Sequence, residues 1–527
     1  MTSVFRNGTV VDGTGRAGFE ADVVVDGDRI ADVVPRSGAA SAVPFGTFDR
    51  EIDASGCLVT PGFIDVHAHS DAYLVIEPDA PSKVSQGITT EINGQCGGSV
   101  APRYGEARLS SDWAALLGER LTWRSLAEYR ETLDEAKPAL NTVQFVGHNT
   151  LRSSVVGYAA KAATPDELAH MERLLEKSLD EGGWGLTTGL IYQPGRYSTP
   201  CEVAVLARVA ARCGGYYATH MRSEGDRLIE SIDEVIALAQ ATGIRAEISH
   251  LKTSGRANWP KMDAALEKIG GAVEAGVLLG SDRYPYCAAG TDLDIVLPDW
   301  AQVGAAPAET KRLADPAMRA RIVAEIDASG RDWAEVMVGG TWHEETKPFG
   351  GKTVAEILAS RKMASPGDLV CRILELDGCK TGAFFFGMCE ENLDKILASP
   401  WILPGSDASL RAPWGPLGAD HPHPRAYATM PEFYRRVRKL GFSREAAIAR
   451  MTSAAADRFG LSGRGRLEKG SFADVVVWRE DEFAGEATYF EPHRFSSGVK
   501  CVMVNGVVPY EGGRFTGSRG GRFLERS

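Results

Sequence analysis

The chain reads as an α/β protein, a (β/α)8 barrel of the TIM type with a small β-sandwich domain assembled from its two ends. Three observations predict this. Short strand-like runs alternate with amphipathic helical stretches through the middle of the chain. The two termini carry similar β-rich runs broken by Asn-Gly and Asp-Gly turns. Histidine, cysteine and aspartate stand at the ends of the middle runs, where barrels carry their chemistry.

At the N-terminus the β-rich runs are 4–6, 9–11, 22–25 and 30–34; near the C-terminus they are 473–478 and 499–504, followed by Asn505-Gly506. Neither end has enough apolar surface to fold alone, so 1–60 and 460–527 are expected to complete one β domain. Residues 61–459 form the expected barrel, with strands at 62–69, 88–96, 142–148, 185–190, 216–220, 245–250, 276–282 and 402–407. Helical periodicity is clearest at 165–181, 202–213 and 228–242. The gap between the seventh and eighth strands is too long for one helix, so 288–351 is read as an inserted, lid-like segment. The run 383–388 is a further strand candidate that leaves the count open by one.

A chain of 527 residues exceeds one ordinary core, and 44% hydrophobic with 24% charged residues is a globular composition. The net charge of −12 disfavours nucleic acid and anionic membrane as partners, since both attract clustered Lys and Arg. No apolar run reaches membrane-spanning length, and the first residues lack the pattern of a secretion signal. A cytoplasmic protein is expected. The nine cysteines are odd in number and lack paired spacing, as free thiols do. Oligomeric state is not legible.

In Gly62-Phe63-Ile64-Asp65-Val66-His67-Ala68-His69, strand alternation sends His67 and His69 to one face and Ala68 to the other. Two converging imidazoles make a natural divalent-metal site; the plainer reading is a hydrogen-bonded histidine pair. Cys96, His220 and His250 end later runs. A lone buried cysteine is ordinarily a small hydrophobe, but Gly94, Gly97 and Gly98 around Cys96 allow close backbone approach. A thiolate with two imidazoles suits Zn²⁺ and leaves a position for water. Asp407, in Pro404-Gly405-Ser406-Asp407, ends the last run.

The paired histidines on the first strand, histidines ending the fifth and sixth, and aspartate ending the eighth resemble the amidohydrolase superfamily. Cysteine in a Gly-Gln-Cys-Gly-Gly-Ser context is similar to its N-acyl-D-amino-acid deacylase (D-aminoacylase) branch. So are Gly189-Leu190-Ile191-Tyr192-Gln193-Pro194-Gly195, Thr219-His220-Met221-Arg222-Ser223-Glu224-Gly225, Ile248-Ser249-His250-Leu251-Lys252, Tyr284-Pro285-Tyr286 and His423-Pro424-Arg425. No lysine ends the fourth strand, where many superfamily members bridge two metals, and Cys96 looks like its substitute. The resemblance implies one tight zinc site at Cys96, His220 and His250, and a second, weaker one at His67 and His69 with Cys96.

Zinc activates water and polarises a carbonyl, so amide hydrolysis is the implied chemistry, with Asp407 as the general base. The rival reading of Asp407 is a structural ligand or helix cap. The implied substrate is an N-acyl-D-amino acid, its carboxylate held by Tyr192, Lys252, Arg283 and Tyr284. Arg283 or Arg411 would read an acidic side chain, and Trp300, Trp342 or Trp414 a large apolar one. Leu293, Ile295, Leu297 and Trp300 are read as the insertion's own core ahead of a substrate pocket. Asp65 and Asp71 are expected to support the histidines, Arg222 and Glu224 to pair behind the ligands, and His421, His423 and Arg425 to pack at the mouth. Alternatives are a cyclic-amide hydrolase resembling dihydropyrimidinase or hydantoinase, and a scaffold without catalysis.

Overall fold

The parallel strands at the centre are short and almost wholly buried, yet buried polar residues such as Glu91, Asn141, Gln144, Glu247 and Asp282 stand among their apolar ones, so no simple alternation marks them. In the computed structural model, which describes residues 1–36, 47–109, 112–361 and 363–526, they form two arrays. One joins Phe63–Asp65, Ile88–Asn93 and Asn141–Gln144. The other runs Val146–Gly147, Gly185–Gly189, Tyr216–His220, Arg245–Ile248, Leu279–Arg283 and Ile402–Pro404. Only Phe145 separates the third strand of the first array from the opening strand of the second. At the other margin Val66 N donates to Pro404 O at 3.3 Å, and Ala68 and Ala408 form a parallel bridge.

Helices connect these strands as the periodicity predicts. Pro165–Asp180 begins at a capping box in which Thr164 and Glu167 satisfy each other's backbone N–H, with Pro165 in the first turn. Its Met171, Leu175 and Leu179 turn inward to the central core. Pro200–Arg212 is capped by Thr199, and Leu228–Thr242 stops at Gly243, whose positive φ of 67° ends the helix.

Nine strands from both chain ends form one further sheet. The N-terminal part is Thr2–Val10, Phe19–Asp26, Arg29–Pro35, Arg50–Asp53 and Leu58–Pro61; the C-terminal part is Val475–Trp478, Val499–Val504, Val507–Glu511 and Arg514–Phe515. They join where Leu58–Pro61 pairs antiparallel with Val475–Trp478. Alternation divides the sheet: Val59, Val475 and Val477 face a core with Phe5 and Val23, while Val476 and Trp478 face the main core. The tail then leaves this sheet, and Leu524 N donates to Thr142 O beside the parallel strands.

The inserted segment is larger than the sequence reading of 288–351. Its antiparallel sheet has Gly382–Phe385 at the centre, paired with both Ala289–Asp292 and Val336–Val338. Its core, including Leu293, Leu297, Ile322, Leu369 and Ala383, therefore closes only after residue 382. The strand candidate at 383–388 belongs here and not with the parallel strands. Leu293 and Leu297 lie in this core and Trp300 against it, as expected, while Ile295 turns to the cavity described below. Among the described residues, no helix is long and apolar enough to cross a membrane.

Candidate active site

The expected ligands converge at the C-terminal ends of the parallel strands, where His69, Cys96, His220, His250 and Asp407 line a cavity of about 990 Å³ and His67 lies buried behind them. Single ligand atoms of His67, Cys96, His250 and Asp407 all lie within 4.8 Å of one another, and so do those of His220, Glu224 and His250. Cys96 Sγ lies 3.3 Å from Nε2 of both His67 and His250. The ring of His220 stands 4.5 Å from that of His250. Asp407 Oδ1 is 3.0 Å from His69 Nε2 and 3.4 Å from His67 Nε2. The thiolate and all four imidazoles predicted from the sequence are thus brought together beside Asp407.

Three of these residues leave their strands in the left-handed region: Cys96 at φ 52°, His250 at 38° and Asp407 at 50°. Each costs on the order of 1–3 kcal/mol against an ordinary conformation, strain that concentrates where side chains must be aimed. The turn after Cys96 is equally tight. A Cβ on Gly189 would lie 2.0 Å from Cys96 O, and one on Gly97 2.4 Å from Asn149 Oδ1.

Buried charged groups meet the Nδ1 atoms of two of these imidazoles. Asp282 Oδ2 sits 3.1 Å from His67 Nδ1, and Glu224 Oε1 sits 2.9 Å from His250 Nδ1. Asp282 thereby turns His67 Nε2 toward the thiol, as carboxylates orient metal-binding histidines; His250 Nε2 also faces the thiol, its Nδ1 lying 2.8 Å from Lys252 Nζ as well as near Glu224. Among the described residues, neither ring nitrogen of buried His220 has a hydrogen-bond partner, and Nε2 is 3.6 Å from Glu224 Oε2. Beneath the site, Asp65 accepts from Lys83 Nζ (2.9 Å) and from Ser406 N (2.8 Å), tying the first strand to the last.

The electrostatics favour a cation at the centre. Burial alone would raise the Cys96 thiol, but His67 and His250 outweigh it and hold the group well below its ordinary value, as a thiolate. Burial likewise opposes ionised Asp407, yet Arg425 and His250 hold it well below the usual carboxylate range. His69 is raised to about 9 and His250 to about 10 against burial, Asp407 and Cys96 contributing in both. In this anionic setting the rings gather protons, and a divalent ion would take their place. The orphaned His220 ring, the thiolate and the oriented Nε2 atoms fit such an ion.

The expected carboxylate-binding residues divide. Tyr192 lines the cavity, its ring 4.9 Å from that of His220 and its hydroxyl 3.3 Å from Thr291 Oγ1. Tyr284 also lines it, with a buried hydroxyl that has no hydrogen-bond partner among the described residues. Burial pushes that phenol up, but Lys252, Arg283 and Arg425 outweigh it and lower its pKa. Lys252 reaches the wall while already bonded to Glu224 and 2.8 Å from His250 Nδ1. Arg283 is not among the lining residues. Asp282 before it points inward, so alternation turns Arg283 away; it bonds Tyr286 O and stacks on Tyr284 at 4.0 Å.

Other expectations shift similarly. Arg222 pairs with Glu234 at 2.9 Å, leaving Glu224 to Lys252 and the histidines. Arg411 lines the cavity but is held by Asp420 at 3.0 Å. Of the three tryptophans only Trp342 lines the wall. Asp71 accepts from Gln144 Nε2 at 2.7 Å. His421, His423 and Arg425 do pack at the mouth, and Arg425 NH1 donates to Asp407 Oδ2 at 2.8 Å. The sequence reading missed Asp282 and Arg425 as partners of the ligands. Strand parity carries the signal for Asp282; Arg425 has no local signal.

The model of the amidohydrolase family matches residues 50–276 and 378–510, omitting most of the inserted segment. An N-acyl-D-glutamate deacylase from Alcaligenes xylosoxydans xylosoxydans is 35% identical over 96% of this chain and 93% of its own length. Among solved structures, a D-aminoacylase with a binuclear metal centre, subject to one-metal activation and second-metal attenuation, superposes with a TM-score of 0.82 at 33% identity, over 99% of both chains. An N-acyl-D-glutamate deacylase from Bordetella bronchiseptica, complexed with zinc and a phosphonate inhibitor that mimics the tetrahedral intermediate, gives 0.81 at 32%, again over 99% of each. By the family model over most of its length and by these relatives over nearly all of it, this chain belongs to the amidohydrolase family, in its D-aminoacylase branch.

Proposed function

We propose that this chain is a zinc-dependent deacylase of N-acyl-D-amino acids, releasing a carboxylate and a free D-amino acid. The observation that carries the reading is the clustering of Cys96, His67, His250 and Asp407 within 4.8 Å at the base of the cavity, beside His220, whose ring nitrogens have no hydrogen-bond partner among the described residues. The relatives' substrates and zinc support it. We take the two parallel arrays as one closed (β/α)8 barrel, 1–60 with 460–527 as its satellite domain, and the inserted segment as a lid.

Cys96, His220 and His250 would hold zinc tightly, with His67 and His69 offering a weaker second position beside Cys96. Zinc supplies Lewis acidity to the amide carbonyl and a lowered pKa to bound water. Asp407 is the general base. Arg425 occupies Oδ2, leaving Oδ1, between the two first-strand histidines, to receive the proton of the attacking water and return it to the departing amine. The substrate carboxylate is received by the free Tyr284 hydroxyl, Tyr192 and Lys252. Arg283 supports Tyr284 from behind and does not touch the substrate.

The test is amine release from a panel of N-acetyl-D-amino acids with the L-isomers as controls, with and without zinc. Turnover confined to D-isomers and dependent on zinc is expected. Absence of release from every D-isomer, or ring opening of hydantoin or dihydrouracil in its place, would overturn the proposal.

A further inference from the structure

Pro424 has no N–H, so the helix Arg425–Lys439 begins with Arg425 as its first backbone donor, which needs a partner outside the helix. His423 provides it: Nδ1 accepts from Arg425 N at 3.0 Å. That bond leaves the hydrogen on Nε2, which lies 3.1 Å from Ala288 O and 3.2 Å from the Tyr489 hydroxyl. The ring is enclosed by aromatic neighbours, and burial with the nearby Arg425 charge holds it neutral, well below its ordinary pKa. Tyr489 lies between the sheet strands Val475–Trp478 and Val499–Val504, on a stretch that crosses from the terminal sheet to the mouth of the site. Its carbonyl is 2.7 Å from His421 Nε2, and its ring packs 4.9 Å from that of Phe386, a cavity-lining residue of the insertion.

We infer that His423, braced by Tyr489 from the stretch that links two strands of the terminal sheet, is a positioning residue that sets Arg425 against Asp407 and so aims the general base. The inference rests on the deacylase reading and assigns the terminal domain a part in catalysis. His423 touches neither Asp407 nor the ligand atoms. It works by fixing the first turn of the helix whose opening side chain donates to Asp407 Oδ2. A side-chain oxygen at the Nδ1 position serves equally, because Asn readily accepts from the N–H two residues on. Gln places its polar group too far out to do so.

The experiment compares His423→Asn, His423→Gln and Tyr489→Phe with wild-type zinc enzyme, measuring kcat, KM, Tm and zinc content. His423→Gln is expected to lose about tenfold or more in kcat with KM within about threefold and Tm and zinc unchanged, and His423→Asn to recover most of that loss. Tyr489→Phe, the mildest change, is expected to lower kcat about two- to fivefold at unchanged Tm. Wild-type kcat in all three variants would overturn the inference. So would losses of kcat that track losses of Tm or zinc, since those mark a merely structural role. A wild-type enzyme inactive on every N-acyl-D-amino acid would instead sink the functional proposal.

Discussion

Each oxygen of the Asp407 carboxylate has its own partners, Oδ1 facing His69 and His67 and Oδ2 receiving Arg425. Asp407→Asn keeps the shape and removes the proton-accepting charge. It is expected to retain zinc, measured by elemental analysis, while kcat falls by about 10³-fold. Cys96→Ser is expected to lose tight zinc binding in a competition assay with a chromogenic chelator, because a hydroxyl is a far poorer ligand than the thiolate. A third residue, Glu247, titrates below the site. Burial pushes its carboxyl up to about 8, Arg458 opposing and Asp282 adding. The unfolded chain releases that proton near pH 4.3, so this group's contribution to stability is full below about 4 and is lost as pH rises toward 8. Glu247→Gln removes the slope, and the Tm of the variant relative to wild type should rise between pH 5 and pH 9.

At the scale of the elements, the proposed ligands were legible in the sequence where strand periodicity carries them. His67 and His69 share a face because they are two residues apart, and Cys96, His220 and His250 end buried runs. The same rule should have excluded Arg283, since inward-facing Asp282 fixes its neighbour outward. Arg425 and the pairing of Glu224 with Lys252 were not legible. Such contacts arise between side chains on separate elements, and no period links positions 407 and 425. The inserted segment was recognised as a gap but cut short, because the central strand of its sheet lies after its helices. The turn behind Cys96 gives an element-scale prediction. Gly189→Ala would press a methyl on Cys96 O, so metal affinity is expected to fall and Tm with it, at a cost on the order of 2 kcal/mol or more.

For the molecule as a whole, the metal should matter far more to activity than to folding. The proposed ligands stand at the ends of strands whose Leu186, Ile248 and Ile402 belong to one continuous apolar core. Removing zinc with dipicolinate is expected to abolish turnover while leaving far-ultraviolet circular dichroism unchanged. Tm should drop only by the binding linkage, about 4 kcal/mol for zinc at a thousandfold excess over its Kd. Loss of secondary structure on chelation would show that the ion builds the fold.

The seam between Leu58–Pro61 and Val475–Trp478 has a consequence for biosynthesis. More than four hundred residues emerge from the ribosome between one margin of that seam and the other. Throughout that interval the nascent N-terminal strands present an unmatched apolar border, open to other chains. Chains truncated before residue 475 should therefore collect in inclusion bodies even though every proposed ligand is encoded upstream of that point.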